Sequence, residues 1–198
     1  MKEPYIIDVR DRWNREAEDE ALWWPRVLWI DPGTVSGVAC IWFDPNAIFD
    51  DKPIGVQILA YQEMFLSGPE IGEAGQVSRF IAEALTLGTE TGLAVGCESF
   101  VPRQLNMSPE FLSPVRIASA VSYGLSVLGK PVPVYRQSPS DALRTFTNDR
   151  LRQVRMYTPG PDHVNDAKRH CLLWLRKLGG AGREQFQEMH GNEKGWWA

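Results

Sequence analysis

The stretch Val27-Leu28-Trp29-Ile30-Asp31-Pro32-Gly33-Thr34 decides how the rest of the chain is read. Its first four residues form an apolar run stopped by turn residues, the pattern of a strand buried on both faces. Asp31 ends the run, and Pro32-Gly33 turns the chain. A carboxylate at the end of a buried strand needs a cation, a hydrogen-bond donor or a metal ion beside it. Asp31 is therefore either the opening residue of an Asx turn over Gly33 or a chemical group.

Working outward, Val38 to Phe43 and Gln57 to Met64 read as two more strands, joined by a loop rich in Asp, Pro and Asn. Three neighbouring strands with no room for helices between them predict an antiparallel meander. The period then changes. Val77, Phe80, Ile81 and Ala84 predict a helix over residues 70–87. Leu93 to Glu98 is a strand, residues 113–128 a helix, and Val132 to Tyr135 a fifth strand, followed by helical stretches near 138–156 and 162–178. The order β-β-β-α-β-α-β-α predicts an α/β architecture: a mixed five-stranded sheet, three antiparallel strands and then parallel additions, flanked by helices.

The polar residues 1–26 read as an extension, with one helix from Arg12 to Leu22, and residues 179–198 as a tail containing Trp196-Trp197. Residues 27–178 are the expected domain, long enough to bury a sizeable core. Three scattered cysteines, Cys40, Cys97 and Cys171, suit neither a disulfide framework nor a structural zinc site and point to a reducing cytosol. There is no signal-peptide pattern and no run near the ~18 apolar residues of a membrane span, so the expected location is cytoplasmic, with no membrane partner.

The net charge of −4 argues at face value against a phosphate-rich partner. Its distribution argues otherwise. Residues 27–102 carry a net charge of −8 and residues 103–177 a net charge of +7. The second segment holds Arg103, Arg116, Arg150, Arg152 and Arg155, the candidate phosphate contacts. Arg150, Arg152 and Arg155 equally suit a solvated helix face.

Glu98 repeats the arrangement at Asp31: Leu93-Ala94-Val95-Gly96-Cys97-Glu98 is an apolar strand ending in an acid. Its other reading is an edge-of-core glutamate paired with an arginine such as Arg103. If the first and fourth strands are parallel neighbours, the two acids meet at the sheet edge where open α/β sheets place their sites. The last helix opens with Asp162-His163-Val164-Asn165-Asp166 and carries an apolar stripe of Val164, Ala167, Cys171 and Leu178. His163, Asp166, His170 and Lys177 share one flank of that stripe. Asp162 reads as the helix N-cap and His170 as a partly buried polar residue. Asp31, Glu98 and Asp166 together with His163 would repel as an empty cluster, but suit hard divalent cations such as Mg2+ or Mn2+. Two such ions about 3.5–4 Å apart activate water and stabilise a leaving oxygen in phosphodiester hydrolysis.

At these residues the sequence resembles the RuvC-type Holliday junction resolvases of the ribonuclease H-like superfamily. The resemblance runs from Val27 to about Leu178 and rests on IDPGTVSG (Ile30–Gly37), GCESF (Gly96–Phe100) and HVNDA (His163–Ala167), with Ser113–Leu143 similar to the family's central helix, next strand and following helix start. It implies a ribonuclease H-like fold and a homodimeric endonuclease, dependent on two Mg2+ or Mn2+ ions per site, that nicks opposed strands of branched DNA. Asp31, Glu98, His163 and Asp166 match the family's catalytic, metal-holding positions. Phe100 matches an aromatic that stacks on an unpaired base, a contact that needs only an exposed π face; a core aromatic is its other reading. The family's glycine- and lysine-bearing segment has no clear match, and Asn148 to Arg155 stands in its place. That leaves cleavage-sequence preference, and the choice among junctions, forks and flaps, open. Compact divergent members of this kind are typical of bacteriophages, which would place the protein in host cytoplasm.

Two other functions share part of the pattern. An inactive relative of the same fold would only bind branched DNA or serve in an assembly. Sugar kinases and actin-like ATPases open with a similar strand and Asp-x-Gly-Thr turn, but they need a second glycine-rich phosphate loop, and none appears in this sequence.

Overall fold

The computed structural model describes residues 24–66, 72–88, 93–100, 112–127, 134–160, 162–181 and 184. The helix expected over Arg12–Leu22, Arg103 and the Trp196-Trp197 tail lie outside the described residues.

β1 (Arg26–Asp31) and β2 (Ser36–Phe43) are buried along their whole length. They are followed by α1 (Pro45–Phe49), α2 (Ile54–Gln57), β3 (Ile58–Leu66), α3 (Gly72–Gly88), β4 (Leu93–Glu98) and α4 (Ser113–Val127). The chain continues through β5 (Val134–Gln137), α5 (Pro139–Thr145), α6 (Asn148–Gln153) and α7 (Asp162–Ala181). The strands make one five-stranded sheet in the order β3-β2-β1-β4-β5. β1-β2 and β2-β3 pair antiparallel, whereas β1-β4 and β4-β5 pair parallel. The fold is therefore the expected meander with parallel additions.

Strand alternation sorts the core into two layers. Leu28 and Ile30 of β1 and Val95 and Cys97 of β4 face α3 and α4, packing with Phe80, Ala84, Ile117 and Val121. Val27 and Trp29 of β1 and Ala94 of β4 face the other side, where α7 supplies Ala167, Cys171, Trp174 and Leu175. Continuing the same alternation places Asp31 and Glu98 on the α7 face. Because β1 and β4 run parallel, with Ile30 opposite Cys97, both acids reach the same sheet edge.

Two glycines make this packing tight. A Cβ on Gly37, which pairs with Asp31, would lie 2.2 Å from the His163 carbonyl. The missing side chain lets the first turn of α7 rest on β2. A Cβ on Gly96 would lie 2.0 Å from the Trp29 ring, which occupies that space.

Beyond shifts of one or two residues at strand ends, the structure adds detail that the sequence expectations lacked. The loop after β2 contains α1 and α2; Asp44 caps α1 by accepting from the Asn46 N–H, with Pro45 in the first turn. β5, described over Val134–Gln137, runs two residues beyond the expected end at Tyr135. The stretch near 138–156 is two helices, because Phe146 turns into the core and Thr147 caps α6 by accepting from the Arg150 N–H. α7 is buried on nearly every side from Val164 to Leu175. The sheet covers one side of it and the segment from α5 to residue 160 covers another. All three cysteines are free and buried. Among the described residues no helix is long and apolar enough to cross a membrane.

Candidate active site

Four side chains singled out in the sequence stand together at the edge formed by the ends of β1 and β4 and the first turns of α7. Asp31 is 6% exposed, and its Oδ2 lies 2.9 Å from His163 Nδ1. Asp31 feels the negative charges of Glu98 and Asp166, and Asp166 feels that of Glu98. His163 and Asp166, three residues apart in α7, face the strand ends from one side of the helix.

The electrostatics follow from crowding acids in a half-closed place. Burial pushes the Asp31 carboxyl up to about 7; the His163 hydrogen bond opposes this, while the Glu98 and Asp166 charges add to it. Burial also raises Asp166, against the pull of Arg169 and with repulsion from Glu98 and Asp162. His163 is raised chiefly by its hydrogen bond to Asp31, then by the charges of Asp31, Asp166 and Asp162, with burial opposing. Asp31 thus keeps its proton to a higher pH than an isolated carboxylate would.

Among the described residues no three His, Cys, Asp or Glu side chains are already gathered as a metal-holding set. The donors are instead turned to nitrogen partners: Asp31 to His163, Glu98 to His170 at 3.1 Å, and Asp166 to Arg169. Their chemistry nevertheless fits a hard divalent cation. Three carboxylates and an imidazole converge on one edge, and positive charge there would relieve the repulsion that raises Asp31 and Asp166.

The other singled-out residues are spread more widely. Phe100 is half-buried two residues beyond Glu98. Arg116 on α4 is engaged with Glu73 of α3, its Nε donating to Oε2 at 2.6 Å. On α6, Arg150 donates to the Thr145 carbonyl, and Arg152 pairs with Asp149 at 2.7 Å and lies 4.3 Å over the Tyr157 ring. Arg155 is exposed, in the left-handed region at φ 58°. Asp162 is the first residue of α7 and exposed, where a negative charge favours the amide end of the helix.

Three residues at the site escaped the sequence reading. Arg169 is buried in α7 and binds Asp166, Asn148 of α6 and, through Nε at 3.0 Å, the Phe146 carbonyl. One guanidinium therefore ties Asp166 to the arginine-bearing segment. Lys168 and Glu63 form a fully buried ion pair; Lys168 also donates to the Met156 carbonyl and to Thr158 Oγ1, both at 2.7 Å. Asn165 holds Thr158 at both its N–H and its carbonyl, so the segment leading into α7 is pinned. The available signal was Lys168-Arg169-His170, three consecutive polar residues that interrupt the apolar stripe of the last helix. Apart from Asp166, one turn from Arg169, their partners lie ten or more residues away and are invisible to periodicity.

No family model and no curated protein matches the sequence. Among solved structures, Thermus thermophilus RuvC in complex with a Holliday junction substrate matches with a TM-score of 0.50 and 21% identity, over 79% of this chain and 95% of that one. A second structure of Thermus thermophilus RuvC matches with a TM-score of 0.47 and 19% identity, over 79% and 95% of the two chains. With its mixed five-stranded sheet flanked by helices, this chain has a RuvC-like, ribonuclease H-like fold.

Proposed function

We propose that the protein is a divalent-metal-dependent endonuclease acting on branched DNA, with Asp31, Glu98, His163 and Asp166 as its metal-holding side chains. The observation that carries this reading is that Asp31 and Glu98 end two adjacent parallel strands at the sheet edge that His163 of α7 reaches, with Asp166 one turn further along the same helix. A shared fold with a resolvase supports it, since the matched RuvC is in complex with a Holliday junction substrate.

Bound Mg2+ or Mn2+, two ions to a site, would supply Lewis acidity and a more acidic water for phosphodiester hydrolysis. The chain's own contribution is position and charge. The strand ends hold Asp31 and Glu98 on a rigid edge, and α7 presents His163 and Asp166 to it. His163, hydrogen-bonded to Asp31, is a place where a proton is held or released beside the reacting phosphate. Arg150, Arg152 and Arg155 supply phosphate contacts outside the site, and Phe100 an aromatic face just past Glu98. Two opposed nicks would require two such sites related by a two-fold axis, hence a homodimer.

The test is incubation with a labelled four-way junction, a replication fork and a linear duplex, with and without Mg2+ or Mn2+. Metal-dependent nicking of the branched substrates over the duplex is expected. Binding of the junction with no nicking under any condition would leave a branched-DNA-binding protein of the same fold.

A further inference from the structure

Glu98 is held from the interior of the protein by a buried histidine of α7. His170 lies two helical turns along α7 from His163 and is 1% exposed. Its Nε2 is 3.1 Å from Glu98 Oε2, and its Nδ1 is 3.1 Å from Gln137 Oε1. Its ring stacks on Trp29, with centroids 5.3 Å apart and planes 5° from parallel. Trp29 in turn lies over Gly96, in the space a Cβ would fill.

These contacts fix the ring completely. Trp29 sets its plane, Gln137 sets its rotation within that plane, and α7 sets its height above the sheet. The strand register supplies both polar partners, because Glu98 pairs with Gln137 across β4-β5. An imidazole inside an apolar layer needs partners at both nitrogens to offset its burial: with Nε2–H donating to Glu98, Nδ1 accepts from the Gln137 amide, whose NH2 and oxygen exchange places to serve it. Packing alone would be served by Leu or Met at this position. What the imidazole adds is a directed N–H to a carboxylate that Asp31 and Asp166 repel and that sits at the rim of the sheet.

We propose that His170 is a positioning residue for Glu98, holding one carboxylate oxygen through Nε2 so that the group stays turned toward Asp31 where a divalent cation would bind. Gln137, Trp29 and Gly96 are the support that keeps His170 in place. The inference rests on the metal-holding reading of Glu98. It assigns no role to His170 in the reaction itself. Partners of this kind around a metal ligand typically set affinity by about 10–100-fold.

The experiment titrates Mn2+ into the metal-free protein by calorimetry, for wild type, Glu98→Gln, His170→Ala, His170→Gln and Gln137→Ala, with thermal melts in chelator to follow the fold. Wild type binds, and Glu98→Gln loses affinity. His170→Ala binds about 10–100-fold more weakly. His170→Gln, whose amide N–H can still reach Glu98, recovers most of that loss. Gln137→Ala leaves the ring stacked on Trp29 but frees its rotation, and it weakens binding in the same direction; it carries the test if His170→Ala fails to fold. Wild-type affinity in folded His170→Ala, or in Gln137→Ala, overturns the proposal. Equal Mn2+ binding by wild type and Glu98→Gln overturns the metal reading itself, and the role of His170 with it.

Discussion

Asp31 Oδ2 lies 2.9 Å from His163 Nδ1, joining the end of the central strand to the first turn of the last helix across 132 residues of chain. The contact depends on Gly37. Opposite Asp31 in the antiparallel ladder, this glycine leaves room for the His163 backbone, so one missing side chain sets the distance between an acid and an imidazole.

Gly37→Ala therefore acts on both stability and function. Its Cβ meets backbone that has no rotamer with which to yield, and overpacking of this kind costs about 1–3 kcal/mol. The expected result is a lower Tm together with a loss of metal-dependent cleavage that persists at temperatures where the variant is folded. Gly55→Ala, which faces open space, serves as the control and should leave cleavage unchanged. Equal melting and equal cleavage for Gly37→Ala and wild type would contradict the packing account.

Asp31→Asn should stabilise the metal-free protein at neutral and alkaline pH. The folded-state pKa of Asp31 is about 7, against an ordinary value of 3.8, so the folded chain keeps a proton that the unfolded chain has lost. Stability accordingly falls as pH rises from about 4 through about 7 and stays lower above that. His163, raised by the same contact, adds a stabilisation that is present below its ordinary value and lost as pH rises through its folded value, so the two trends have one sign. Asn removes the buried charge and keeps an acceptor for His163. In chelator, the variant's Tm should exceed that of wild type at pH 8, by about 2–4 °C for each kcal/mol recovered, and converge with it near pH 4. Saturating Mn2+ should raise the wild-type Tm and leave the variant nearly unmoved. A pH-independent Tm difference would contradict the assignment.

Arg169→Ala removes the link between Asp166 and the arginine-bearing segment. The Phe146 carbonyl, Asn148 and Asp166 lose a shared partner, and leaving the buried carbonyl unpaired costs about 1–3 kcal/mol. Chemical denaturation should show reduced stability. Hydrogen exchange should show faster opening of residues 146–153 than of β1. Uniform exchange across both regions would mean that the guanidinium does not tie them.

Replacing Arg150, Arg152 and Arg155 together by alanine should weaken junction binding and flatten its salt dependence. Each phosphate contact removed lowers the slope of log affinity against log salt by about 1. An unchanged slope would assign these residues to a solvated helix face, consistent with the Asp149 and Tyr157 partners that Arg152 already has.

The local grammar of the chain carried much of this site. Apolar runs ending in Asp31 and Glu98 marked two buried strands, and the three-residue spacing of His163 and Asp166 marked one helix face. Parallel pairing of β1 and β4 was a condition on which the meeting of the two acids depended, and the structure meets it. Features that depend on distant partners were not legible. The role of His170 needs Gln137 and Trp29, and Gly37 and Gly96 show their function only against His163 and Trp29. Lys168 sits on a helix that reads as amphipathic until Glu63 is brought against it from β3. The short helices α1 and α2 were hidden for a different reason: Asp44-Pro45 is as good a turn signal as it is a helix start.

The central claim is that Asp31, Glu98, His163 and Asp166 hold the divalent cations with which the protein cuts branched DNA. Its most direct test is single-turnover nicking of an end-labelled four-way junction by wild type and Asp166→Asn in Mn2+, with junction affinity measured in parallel. The account predicts metal-dependent nicking by wild type, and, for the variant, no nicking at undiminished junction affinity. Cleavage by Asp166→Asn at the wild-type rate would contradict it.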